Sequence, residues 1–129
     1  GKTDRGIGTE LLIEAGVDQV KIGDKLADFY LLMAEYAREI YPSREITACP
    51  GVEPLLAQLR VRDDVLLGLL TGNAQPTAPL KLAAAGIDPD QFVVAAYGSD
   101  DSNRNNLPVI AIERAGFYQS RVTKKANLR

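Results

Sequence analysis

The chain has 129 residues, 46% of them hydrophobic and 25% charged, with a net charge of −2. That balance fits a single soluble globular domain and offers no electrostatic case for nucleic acid or an anionic membrane as partner. The chain has no histidine and one cysteine, Cys49, which excludes a His-based triad or zinc site and an internal disulfide. Cys49 reads as a small buried or half-buried residue in a reducing, cytoplasmic setting. No apolar run approaches the roughly 18 residues of a membrane span.

The elements follow in chain order. Thr3 to Ala15 carries Ile7, Leu11, Leu12 and Ala15 at helical spacing, with Gly16 as a stop and Gly6 and Gly8 weakening the first turn. A longer helix is predicted from Lys25 to Ile40, with Asp24 as its N-cap and a stripe of Leu26, Phe29, Tyr30, Met33, Ala34 and Ala37. Tyr41-Pro42-Ser43 ends it. These two helices read as an antiparallel pair. Phe29, Tyr30 and Tyr36 read as packing residues within it.

A different pattern begins near Ile46. Pro50-Gly51-Val52 leads into a helix, Glu53 to Arg60, with Leu55, Leu56 and Leu59 on one face. Val65 to Leu70 is a strand without polar alternation, as expected when both sheet faces are covered. Ala74 to Ala85 is helical, contributing Leu80, Leu82 and Ala83, with Gly86 as a C-terminal cap. Ile87-Asp88-Pro89-Asp90 is a turn and Phe92 to Tyr97 a second apolar strand. Asn106 to Ala115 is a further helix bearing Leu107, Ile110, Ala111 and Arg114 on successive turns. Helices alternating with apolar strands predict a parallel α/β sheet. The basic residues Arg121, Lys124, Lys125 and Arg129 read as a solvated tail.

The chemistry centres on Leu69-Leu70-Thr71-Gly72-Asn73. A hydroxyl and successive backbone N–H groups at the end of a buried strand form a cradle for an anion.

Several motifs in order resemble the haloacid dehalogenase-like hydrolase superfamily, in its phosphoglycolate-phosphatase-like branch. They are Gly1-Lys2-Thr3-Asp4, Pro50-Gly51-Val52, Leu69-Leu70-Thr71-Gly72-Asn73, Lys81-Leu82, Ala85-Gly86-Ile87, Tyr97-Gly98-Ser99-Asp100-Asp101, Arg104 and Ile112-Glu113-Arg114-Ala115. The resemblance covers roughly residues 1–117. It implies a partial Rossmann-like parallel sheet with flanking helices over residues 47–129, and an N-terminal helical cap over 1–46. It also implies phosphatase-type hydrolysis of a small phosphorylated substrate, with magnesium as cofactor. In that scheme Thr71 hydrogen-bonds the transferring group, Gly72 and Asn73 add contacts beside it, and Arg104 offsets negative charge.

The family's strand bearing two aspartates, and its acidic magnesium loop, have no counterpart in these residues. Asp88-Pro89-Asp90 has the spacing of paired aspartates but suits a turn. Asp100-Asp101 reads as solvated loop. Gly23-Asp24-Lys25-Leu26-Ala27-Asp28 has the letters of the family's magnesium motif, but Asp18 to Ile22 before it is too polar for a buried strand. Ser120-Arg121-Val122 is where the acidic strand would begin, followed by no acidic residue. The sequence therefore reads as an internal piece of such an enzyme, with no metal ligands and no activity alone. The alternative is a non-catalytic remnant or interaction module of the same fold. An unrelated nucleotide-binding domain is a third reading, weakened by the absence of a glycine-rich phosphate loop. The strand at 65–70, apolar on both faces, is expected to be an exposed edge prone to self-association.

Overall fold

A computed structural model describes residues 1–127. Helices dominate it, around one small parallel sheet. In chain order come α1 (Asp4–Glu14), α2 (Ile22–Ile40), α3 (Val52–Arg60), β1 (Gly68–Leu70), α4 (Ala78–Ala84), β2 (Val94–Ala96) and α5 (Leu107–Asn127). Short 3-10 turns at Gln19–Lys21, Tyr41–Ser43, Pro89–Gln91 and Arg104–Asn106 join them.

Thr3 begins α1. Its backbone is extended and its hydroxyl accepts from the Gly6 N–H, which satisfies one free donor of the first turn. Gly16, at φ +78°, ends the helix, with the Val17 N–H reaching back to the Leu12 carbonyl. The stripe does not face inward as a whole: Ile7 and Leu11 are exposed, while Gly8 is buried. A Cβ on Gly8 would come within 2.9 Å of both Leu26 and Phe29. The glycine that weakens α1 is thus what lets α1 and α2 approach. Gly8 meets the first half of α2, where the two helices pack against each other.

Helix α2 begins at Ile22, three residues before the predicted start. Asp24 lies within its first turn and caps nothing. Asp18 instead caps the preceding 3-10 turn through the Val20 N–H, and that turn runs directly into the helix. Leu26, Ala34 and Ala37 are buried on the predicted stripe. Phe29 and Tyr30 meet edge to face at 6.2 Å. Tyr36, read as a packing residue, is 62% exposed. Helix α2 also packs on α4.

The sheet has two strands, paired in parallel with Leu69 opposite Ala95. Both are three residues long, shorter than predicted. The Leu67 carbonyl accepts from Val93 and the Thr71 N–H donates to Ala96. Odd-numbered residues of β1 therefore turn their backbone toward β2, and Gly68 and Leu70 turn theirs outward. No other strand pairs with that outer edge among the described residues. Helix α5 packs on both strands.

The bounds of α4 and α5 move as well. Helix α4 starts at Ala78, because Ala74 to Thr77 forms a turn closed by the Ala74 carbonyl. Helix α5 runs on through Gly116 to Asn127, so the strand predicted to begin at Ser120-Arg121-Val122 is helical. Nothing crowds Gly116, and Ser120 and Thr123 return hydrogen bonds to the Gly116 and Gln119 carbonyls four residues back. The isolated glycine therefore lowers helix propensity by about 1 kcal/mol without breaking the helix. Arg121, Lys124 and Lys125 sit on this helix; Arg129 lies outside the described residues.

Candidate functional site

The carboxyl ends of β1 and β2 and the first turn of α1 meet in one polar knot. The Asp4 N–H donates to the Gly72 carbonyl at 2.8 Å, and the Arg5 N–H donates to the Gly98 carbonyl at 3.0 Å. The fully buried Thr3 donates its hydroxyl to the Ser102 carbonyl. Between the strand-end loops, the Gly98 N–H donates to the Asn73 carbonyl at 2.7 Å. A Cβ on Gly98 would overlap the Gly72 carbonyl group, so glycine is required by contact at this crossing.

The donors of the predicted cradle are largely engaged by the chain itself: the Thr71 hydroxyl donates to the Asn73 side-chain oxygen at 3.3 Å. The Asn73 N–H donates to the Thr71 hydroxyl oxygen at 3.1 Å. The Ala74 N–H donates to the Asp4 carboxylate at 2.7 Å, and the Gln75 N–H to the Ser99 hydroxyl at 3.1 Å. The donors after Thr71 thus already hold one anion, the chain's own Asp4. The Gly72 N–H and the Arg104 guanidinium have no hydrogen-bond partner among the described residues. An Arg104 Nη1 atom lies 2.8 Å from where a Cβ of Gly72 would stand. Gly72 thereby leaves a seat for the guanidinium against the end of β1. Arg104, distant in sequence, is thereby brought against the consecutive run Thr71-Gly72-Asn73 at Gly72.

Asp4 and Arg114 are the residues that sequence reasoning missed. Asp4 entered only as part of the opening motif. Arg114 counted toward a helical stripe. It instead donates to both Asp100 carboxylate oxygens, at 2.7 and 2.9 Å, and to the Ala95 carbonyl at 2.7 Å. Asp100 also accepts from the Tyr97 N–H. It is therefore a fixed strut between the β2 loop and α5, not a solvated loop residue. The Arg114 hydrogen bonds hold its carboxyl below the usual aspartate range, against the opposing effect of burial. Asp101 behaves as a loop cap, accepting from Asn103 and Asn106.

Burial raises the phenols of Tyr30 and Tyr41 above their ordinary value, and the nearby Asp4 carboxylate adds to this; Arg5 opposes it at Tyr30. The Tyr30 hydroxyl is buried without a partner. Beside the knot, Thr71 and Asn73 open onto a cavity of about 290 Å³ lined also by Cys49, Leu69, Lys81 and Leu82. Cys49 is exposed there, contrary to the expectation of burial.

The donor set does not fit magnesium. Asp4 and Asp100 are engaged by N–H groups and a guanidinium. No cluster of three acidic, histidine or cysteine side chains stands ready for a metal among the described residues. The magnesium-like letters at Gly23 to Asp28 lie within α2 rather than in a loop after a strand. No helix among the described residues is long and apolar enough to cross a membrane. No protein-family model matches the chain, and a search of curated proteins found no match.

Proposed function

We propose that the chain carries the phosphoryl-binding part of a haloacid dehalogenase-like hydrolase acting on a small phosphomonoester. In this reading β1 and β2 belong to a partial Rossmann-like sheet, and the helices of residues 1–46 are a cap on 47–129. The observation that carries it is the seat of Arg104 against Gly72. It puts a cation without an internal partner beside Thr71, at the carboxyl ends of parallel strands, where open α/β sheets hold ligands. Thr71 hydrogen-bonds a phosphoryl oxygen, Gly72 and Asn73 flank it, and Arg104 offsets its charge. No free aspartate stands at the end of β1 to attack phosphorus. Residues 1–129 by themselves are therefore expected to bind the anion without turning it over.

A non-catalytic module of the same fold is the second reading. It is favoured by the engagement of Asp4 and Asp100, the carboxylates nearest the strand ends, in structural hydrogen bonds.

Titrating the 15N-labelled chain with orthophosphate tests the site. The Gly72 amide and Arg104 side-chain resonances should shift together, with a Kd of about 1 mM. Arg104→Ala should weaken binding about tenfold. Saturating phosphate that moves neither group overturns the assignment. Magnesium-dependent hydrolysis of a phosphomonoester by the pure chain, lost in Thr71→Ala, would instead overturn the expected inactivity.

A further inference from the structure

Two exposed grooves on different elements carry opposite charge. The first runs along α2 and encloses about 610 Å³, lined by Phe29, Leu32, Met33 and Tyr36, with Glu35 and Glu39 beside them. Positions 29, 32, 33 and 36 share one helix face. Leu32 and Tyr36 are 65% and 62% exposed, so the outer part of the stripe has no cover among the described residues, while Phe29 and Met33 are half-buried at its floor. The second groove, of similar volume, lies between the end of α5 and the start of β2. Val93, Val94, Phe117 and Val122 line it, with Arg121 and Lys125. Phe117 is 73% exposed. From Arg114 to Asn127 helix α5 carries four cations and no acid.

Glu35, Glu39, Arg121 and Lys125 form no ion pair among the described residues. The grooves cannot meet within one chain, since α2 is held against α1 and α4 while α5 is held against both strands. Each groove has the apolar floor of the other and the charge the other lacks. We infer that the occupant of each is a second copy of this chain. The basic, aromatic end of α5 from one copy lies along the acidic stripe of α2 in the next, with Phe117 as the apolar anchor. The contact is heterologous, so it joins copies head to tail.

Sedimentation velocity of the full chain tests this independently of anion binding. Association should grow through the micromolar range. It should weaken as sodium chloride rises from about 0.15 to 1 M, where the screening length falls from roughly 8 to 3 Å. The doubly substituted Glu35→Lys/Glu39→Lys chain should associate at least about tenfold more weakly, as should Arg121→Glu/Lys125→Glu. Circular dichroism confirms that each is folded, and Phe117→Ser serves as a second variant if either is not. Mixing the two charge-reversed chains should restore association between them. A monomer at every concentration overturns the proposal. So does association that survives both reversals and disappears in Leu70→Lys, which would move the contact to the β1 edge.

Discussion

The two ends of the small sheet contrast sharply. At the carboxyl ends of the strands, segments far apart in sequence are tied by short polar bonds. Asp4 reaches Gly72 and Ala74, Arg5 reaches Gly98, and Thr3 reaches Ser102. Toward the amino ends lies the opposite arrangement. Val65, Leu66 and Leu67 are only half-buried, Val61 and Val93 are exposed, and α3 packs extensively on no other element. Of the seven buried hydrophobic residues among those described, five are alanine. The chain therefore derives less order from a large apolar core than from one polar knot, the same knot that forms the candidate site. Local stability should differ between the ends accordingly.

The knot is most easily broken at its tightest crossing. Gly98→Ala places a Cβ into the Gly72 carbonyl, which only a backbone shift can relieve. A loss of about 4 kcal/mol, at the exceptional end for one substitution, is expected. It would appear as a large fall in thermal midpoint together with lost protection of the α1 amides. Asp4→Ala should come next. It leaves the Ala74 N–H without an acceptor and should cost about 2 kcal/mol by denaturant unfolding. If Asp4→Ala were neutral, the first turn of α1 would not be fastened to the strand ends and the contrast would fail.

The Asp100–Arg114 strut gives the same end a pH signature. The folded-state carboxyl of Asp100 titrates below its unfolded value of 3.8. Its contribution is therefore fully present above about pH 4 and is lost as pH falls through the lower folded value. In acid unfolding followed by circular dichroism, the stability gap between Asp100→Asn and the unmodified chain should be widest above about pH 4 and narrow as pH falls below it. Arg114→Ala should reduce stability at neutral pH by about 1.5 kcal/mol, tempered by its partial exposure. Parallel pH profiles for Asp100→Asn and the unmodified chain would remove the strut from the account.

Legibility in the sequence divides along the same line. The helices, the parallel strands and the turn glycines Gly16 and Gly86 follow from local periodicity and φ demands, and those were readable. Thr71-Gly72-Asn73 was singled out because it is a run of consecutive residues at a strand end. Asp4 and Arg114 were not, because their partners are 70 and 14 residues away and nothing local distinguishes them from surface charges. The length of α5 was misread for a related reason. The local pattern ends at Ala115, whereas the continuation carries Tyr118 and Val122, which line one groove with Val65 and Leu66, distant in sequence. Burial of α1 was misassigned because Gly8, with no side chain to count, is the residue that touches α2.

The outer edge of β1 offers the smallest expected effect on stability and the finest test of the contrast. Leu70 is 43% exposed and directs its backbone away from β2. Leu70→Lys removes no ladder bond and little packing, so the unfolding free energy should change by less than about 0.5 kcal/mol. A charge at that position opposes pairing with any other strand edge, so precipitation on standing should slow while the melt stays in place. A marked loss of stability would mean that Leu70 is packed by something beyond the described contacts. The outer edge of β1 would then be as closely held as the knot beside it.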